Sequence, residues 1–487
     1  MYLLGVDLGT TGCKSMVFDL DGSILAQNYT EYGLIIKDNS FIEQDADLWW
    51  KLVKDSIANS AKDLGQDACK IGAISVSSQG ISFVPIDKEG KTLYNAINWL
   101  DKRASSQISQ ITDHYDEKSI FNITGKRLNA AYVLPKLMWV KENLPEVYNN
   151  TYKFLMGLDF ITYKLSGKII TDHTMASGTL AFDINNRQWD SSLLEKFAID
   201  IDKLPDLDYM GTCVGNILPE VAEELGLSKE VKIILGGQDQ KCSAIGAAIA
   251  DGITTVSLGT ATAISTIFTK PALDPQMRIP CFCFDKDRWI IESVIGTSCV
   301  SLKWLRNTFF KEHSYKELDV MAERSLPGAK GVFFYPHLEG AGTPFNIYDM
   351  KGFMYGFTLS TSHEDVIRAL MEGIAFQIKA NVDVHEDLGV RINELRVFGG
   401  GSNSDIWCRI IADVTGKTVS VLYTSEIANL GAAVLAGVGA GFYKNYDDVL
   451  SNIKLVKKQY KPQEENMKIY SEVYEDYLKI QEKILKQ

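Results

Sequence analysis

The chain is poor in the features that mark several large protein classes. No stretch approaches the roughly 20 apolar residues of a membrane helix. The longest candidate, residues 430–442, is short, rich in Ala and Gly, and reads as a buried helix. No basic leader precedes the first apolar run and Asp7 interrupts it, so a secretory signal is not expected. No dense Lys/Arg run stands out against a net charge of −12, which argues against nucleic-acid binding. Eight cysteines are scattered over 487 residues, the pattern of reduced thiols in a cytosolic protein rather than of a disulfide framework. Cys281 and Cys283 are too close for the usual zinc spacing, and none of the six histidines belongs to an HExxH pair. A GxxxxGK[ST] phosphate loop is absent, and no GxGxxG follows the first apolar strand, which excludes P-loop and dinucleotide-binding architectures.

What remains is an ordinary globular composition, 46% hydrophobic and 23% charged, in a chain long enough for two large domains. The start reads as a hairpin: strands over 2–6 and 14–19 flank the turn Asp7-Leu8-Gly9-Thr10-Thr11-Gly12, and Asp21-Gly22 marks the next turn. A helix is predicted over 45–64, strands over 71–76 and 81–86, and helices over 135–143 and 160–165. A strand over 232–235 runs into Gly236-Gly237-Gln238-Asp239-Gln240, with a small-residue helix expected over 243–250. The opening pattern then recurs: a strand over 254–258, the turn Gly259-Thr260, and a strand over 261–268. This internal repeat near mid-chain predicts two domains of related fold facing each other. Later come an amphipathic helix over 364–379, a strand over 394–398, the glycine turn Gly399-Gly400-Gly401-Ser402-Asn403, and a tail helix over 464–486. The tail carries Met467, Tyr470, Tyr474, Tyr477 and Ile480 as a docking stripe.

The turns carry the chemistry. Phosphate oxygens need several N–H donors at close range, which glycines expose and Thr hydroxyls supplement. Thr10, Thr11, Gly259 and Thr260 are therefore candidate phosphate contacts, with Lys14 as a point charge beside them. Asp7 supplies a carboxylate for Mg²⁺, which keeps waters and bridges phosphates. Gly400 and Gly401 let an adenosine approach the backbone, and Asn403 offers it both a donor and an acceptor. Asp239 follows a strand and two glycines, where a carboxylate accepts the proton of an attacking alcohol. The bland alternative is a helix cap. Gln240 beside it can bond sugar hydroxyls, and Gln79, Trp99, Asp101 and Arg103 are substrate-side candidates.

In this order the motifs resemble those of FGGY carbohydrate kinases. Lys136-Leu137-Met138-Trp139-Val140-Lys141-Glu142-Asn143 looks like one family signature. Gly352-Phe353-Met354-Tyr355-Gly356-Phe357 followed by residues 365–372 looks like the other. Xylulokinase-like members are the nearest pattern. The resemblance implies an α/β, two-domain actin/hexokinase-like (ribonuclease H-like) fold with a deep interdomain cleft. Residues 1–241 would form a sugar-binding and catalytic domain, and 242–487 an ATP-binding domain with a helical tail. It implies Asp239 as catalytic base, Asp7 and Asp239 as the carboxylates near Mg²⁺, Thr10, Thr11 and Thr260 at phosphates, Gly400 and Asn403 at the nucleotide, and Trp99 and Asp101 beside the sugar. ATP and Mg²⁺ are the implied cofactors and a small sugar or polyol the partner; a homodimer is common in the family. The chain departs from it where xylulokinases often carry Met-His after Gln79 and glycerol kinases Arg-Glu: here Gly80-Ile81 stands. It carries Gln240 where xylulokinases often have Asn. In a different class, an actin-like nucleotide-switched interaction protein would share the phosphate turns but not the sugar side.

Overall fold

A computed structural model describes residues 1–37 and 40–485. The first half is built on a six-stranded sheet. Its hairpin is β1 (Tyr2–Leu8) and β2 (Gly12–Phe18), extended by β3 (Ile24–Glu31). Helix α1 (Ala46–Leu64) follows, started by Asp45, whose carboxylate accepts from Asp47 N at 2.9 Å and Leu48 N at 3.2 Å. Then come β4 (Ile71–Ser78), α2 (Gly157–Ser166), β5 (Cys213–Asn216), β6 (Lys232–Gln238) and α3 (Asp239–Gly246). The strand order is β5-β6-β4-β1-β2-β3, with β4 parallel to both β1 and β6. β4 is buried at every position, as a central parallel strand covered on both faces must be.

The second half repeats this plan. Its strands are β7 (Ile253–Leu258), β8 (Thr262–Phe268), β9 (Cys281–Cys283) and β10 (Trp289–Ile295). Helices α4 (Cys299–Phe309), α5 (Tyr315–Arg324) and α6 (His363–Asp387) lead to β11 (Glu394–Phe398). The chain continues through α7 (Asp405–Thr415), β12 (Thr418–Leu422), α8 (Ile427–Gly439), β13 (Val456–Tyr460) and α9 (Glu464–Leu485). The order is β9-β10-β8-β7-β11-β12-β13. The run β10-β8-β7-β11-β12 matches β3-β2-β1-β4-β6 strand for strand, including the antiparallel hairpin and its parallel neighbour. The repeat read from two short turns is thus a repeat of topology.

A hydrophobic cluster lies between the sheets. It joins Leu3, Met16 and Ile234 from the first, Ile267, Ile290, Phe398 and Leu422 from the second, and Ile245, Leu430 and Val434 from α3 and α8. α8 lies between two strands of the second sheet in sequence, β12 and β13, yet packs on β1, β2, β4 and β6 of the first. Its Asn429 Nδ2 donates to Gly5 O at 3.1 Å and Lys14 O at 3.0 Å. α3 and α8 cross at two glycines: a Cβ on Gly431 would lie 1.9 Å from Cys242 O, and one on Gly246 would lie 2.2 Å from Ile427 O.

Three expectations shift in detail. The helix expected from 243 begins at Asp239, because the Gln238 side chain caps it by accepting from Gln240 N at 3.1 Å; residue 241, the expected domain boundary, lies inside this helix. The strand expected from 81 begins at Phe83, because Ile81 has a φ of 51° and Ser82 N bonds Gly80 O at 2.8 Å. In the tail, Tyr470, Tyr474 and Tyr477 are buried against the second core, whereas Met467 is 36% exposed; Lys486 lies outside the described residues. The stripe docks on its own domain: Tyr477 stacks on Tyr335 at 4.2 Å, and Tyr470 bonds Glu372 at 2.7 Å. No helix among the described residues is long and apolar enough to cross a membrane.

Candidate active site

The two hairpin turns are built alike. Leu8 and Leu258 are fully buried and anchor them, and Gly9 N and Gly259 N each bond back across the turn, to Gly12 O at 2.9 Å and Ala261 O at 3.1 Å. In this correspondence Asp7 of the first hairpin occupies the place of Ser257 in the second. Asp7 pairs in register with Ser77 of β4, whose hydroxyl donates to Asp7 Oδ1 at 2.8 Å.

Asp239 stands at the first turn of α3, at the C-terminal edge of the first sheet, where crossing strands leave a crevice for ligands. It lines a cavity of ≈ 320 Å³ whose walls come from both halves. Thr10, Gln79, Gly80, Ile81, Trp99 and Gln240 belong to the first, and Ser257, Ala261, Ala263, Phe282 and Glu292 to the second. Trp99 is 40% exposed here, and its Nε1 donates to Thr10 Oγ1 at 3.0 Å, which fixes the indole as a wall. Gln79 donates to Gln44 Oε1 at 2.9 Å, and Gln44 donates to Thr10 O at 2.8 Å, so the first hairpin turn is tied to the floor of the cavity.

Electrostatics separate Asp239 from an ordinary surface carboxylate. Burial, then the negative charges of Asp7 and Glu292, push it up to about 7, with Lys241 pulling the other way. Burial likewise pushes Asp7 up to about 6, opposed by the Ser77 hydrogen bond. Asp7 lines neither cavity, yet its charge acts on Asp239, and two acids coupled in this way suit proton transfer and a divalent cation. The helix-cap reading does not hold for Asp239, because Gln238 is the cap; Asp239 is the first helical residue, and its Oδ1 accepts from Gln240 N at 2.6 Å.

A larger cavity of ≈ 810 Å³ opens on the other side of the second hairpin, lined by Thr260, Gly400, Gly401 and Asn403 with α4, α5 and the start of α7. Gly399 has a φ of +93°, and a Cβ on Gly401 would lie 2.6 Å from Leu258 Cγ, so the glycines seat the turn against β7. The hairpin β7–β8 therefore faces both chambers, Ser257, Ala261 and Ala263 toward Asp239 and Thr260 toward the larger one.

Comparison with known proteins decides the family. The N-terminal-domain model of the FGGY family of carbohydrate kinases matches residues 2–246, and the C-terminal-domain model matches residues 254–440. The chain belongs to this family. It is 29% identical to a xylulose kinase of Bacillus subtilis over 98% of this chain and 96% of the relative. Among solved structures it resembles a gluconate kinase and a ligand-bound xylulose kinase, both from Lactobacillus acidophilus. Each has a TM-score of 0.94 and 26% identity, and covers 99% of this chain and 98% of its own. The fold is the two-domain α/β architecture that the motifs implied, and the family match replaces the reading as an actin-like interaction protein.

In this FGGY kinase some expected site residues are brought together and others are not. Thr10, Gln79, Trp99, Asp239 and Gln240 share the smaller cavity; Thr260, Gly400, Gly401 and Asn403 share the larger. Asp101 lines neither cavity. It is fully buried, its carboxylate held by Arg103 at 2.8–3.0 Å and by Ile42 N at 2.6 Å, so it braces the loop that carries Trp99. Arg103 is consumed in the same pair and also reaches Glu43 at 2.8 Å. Lys14 is ion-paired with Glu426 and stacks over Tyr29, so its charge is already matched within the chain. Thr11 is exposed and lines neither cavity. Residues that sequence reasoning missed are Tyr132, Thr174, Lys241, Phe282 and Glu292 in the small cavity, and Lys303, Tyr315 and Asp319 in the large one. Lys241 alone carried a signal, as the one cation in a helix of small residues. Asp101→Ala is expected to lower stability by about 3 kcal/mol, because the buried Arg103 guanidinium keeps only Glu43 as a carboxylate partner. Urea unfolding checks this against a sugar KM measured under native conditions.

Proposed function

We propose that this FGGY kinase transfers the γ-phosphoryl group of ATP to a hydroxyl of a small neutral ketose, a pentulose such as D-xylulose. The observation that carries it is Asp239, a carboxylate raised to about 7 in a sugar-sized chamber, separated by one phosphate-type turn from a nucleotide-sized one. The kinship with xylulose kinases supports the substrate class.

In this reading the sugar lies against Trp99, Gln240 and the wall at Gly80-Ile81. Asp239 takes the proton of the attacking hydroxyl. Backbone N–H groups of the two turns and the Thr10 and Thr260 hydroxyls bind the polyphosphate and spread the charge that develops on the transferring oxygens. Asp7 and Asp239, two acids close enough for the charge of the first to act on the second, would together hold a Mg²⁺. Such an ion would neutralise phosphate charge. Closure of the two halves on the substrates would exclude water. The two-halved wall around Asp239 supports that requirement, because a first half alone would leave the chamber open. We also propose a homodimer and a cytosolic location, on family habit and cysteine usage respectively.

A coupled ADP-release screen over about thirty ketoses, polyols and sugar acids tests the reading. ADP release that depends on a pentulose is the expected result; ATP turnover indifferent to every added sugar would sink it.

A further inference from the structure

The second half contributes more than a lid to the sugar chamber. Glu292 of β10 and Lys241 of α3 both line it, and Lys241 Nζ lies 2.9 Å from Glu292 Oε2. Lys241 is 1% and Glu292 9% accessible. The pair spans the two family domains, 241 in the first and 292 in the second. Its geometry is pinned from behind: Lys241 Nζ sits 3.7 Å and Lys126 Nζ 3.8 Å from the centre of the Phe282 ring, and Lys126 donates to Cys281 O at 2.8 Å. The other Glu292 oxygen, Oε1, makes no hydrogen bond within the described residues.

The charges on the wall are therefore unbalanced in one direction. Lys241 is the chamber's one cation among the described residues, and Glu292 already neutralises it; Asp239 adds a further acid. A hydroxyl chain entering the chamber meets an oxygen ready to accept a hydrogen bond. A carboxylate entering it meets no unpaired cation and loses its hydration uncompensated. We propose that Glu292, held by Lys241, is a specificity-determining residue: its free oxygen accepts a substrate hydroxyl remote from the transferred phosphate, and the pair selects uncharged sugars over sugar acids. This rests on the kinase reading above and names its substrate class more closely.

The test compares the wild type, Glu292→Gln and Lys241→Met with D-xylulose and D-gluconate as substrates in the ADP-release assay. Glu292→Gln keeps the side chain's shape and an acceptor for Lys241 but frees the lysine's charge. Its xylulose-over-gluconate ratio of kcat/KM should fall by at least about tenfold, mostly through KM, the scale of one charge-assisted hydrogen bond. Lys241→Met leaves the acid unneutralised and should move the ratio the opposite way. A purely structural role would depress both substrates together. Turnover of D-xylulose by the wild type with ratios that stay put, or that move in the same direction in both variants, overturns the charge gate alone. A wild type that prefers D-gluconate, or that turns over neither sugar, overturns the substrate reading and the gate with it.

Discussion

Asp239→Asn should cut turnover by at least about a hundredfold while sugar and MgATP still bind, because the amide keeps the shape but accepts no proton. Steady-state ADP release gives the first number and calorimetric titration the second. Near-normal turnover would remove Asp239 from its role. The raised carboxyl adds two pH signatures. In the wild type, kcat/KM for the sugar should climb with pH on a limb near 7, since the base must be ionised in the free enzyme and its partner acid Asp7 titrates with it. Stability should run the other way. A carboxyl whose pKa is higher folded than unfolded holds its proton more tightly in the folded chain. Its contribution is therefore best at low pH and is lost as pH rises from the ordinary carboxylate range, near 3.8, toward 7. Asp239→Asn escapes that loss, so the inactive variant should exceed the wild type by about 4 kcal/mol at pH 8 and come close to it near pH 4. Denaturant titration at the two pH values reads the difference.

Gly431→Ala should be among the most damaging single methyl additions in the chain. The new Cβ would meet Cys242 O at 1.9 Å and Gly246 N at 3.0 Å, both main-chain atoms that cannot swing aside as a side-chain tip can. Overpacking of this kind costs about 3 kcal/mol when nothing can rotate away. Relief requires α3 and α8 to separate, and α3 begins with Asp239. An ångström of displacement at a reacting group costs about a hundredfold in rate, so activity should fall even where the variant still folds. Urea unfolding and kcat measured on the same preparation separate the two losses. A variant of wild-type stability and wild-type kcat would show that the crossing yields freely.

The two hairpin turns and the acid that follows β6 were legible in the sequence because each is local: a leucine, a glycine and a hydroxyl at fixed offsets, or an acid at a strand's end. The Ile81 kink was not legible, since a β-branched residue in a run of apolar neighbours reads as strand and nothing nearby announces a positive φ. Asp101 and Lys14 were misplaced for a related reason. A charged residue near a phosphate or sugar motif looks available, and only the fold reveals that Arg103 and Glu426 had claimed them. Glu292 and Phe282 lie about fifty residues past Asp239 on two antiparallel neighbours, and no spacing rule connects them to it.

The position of α8 sets a timetable for the nascent chain. The first sheet is complete in sequence by Gln238, but the helix that packs on its inner face begins at Ile427. Ribosomes add about 5–20 residues per second, so strands carrying Leu3, Ala73 and Ile234 wait about 10–40 s for their cover. Through that interval the amino-terminal half is a sticky intermediate that needs shelter, and a gene cut after the mid-chain repeat would yield two fragments that aggregate rather than two working modules.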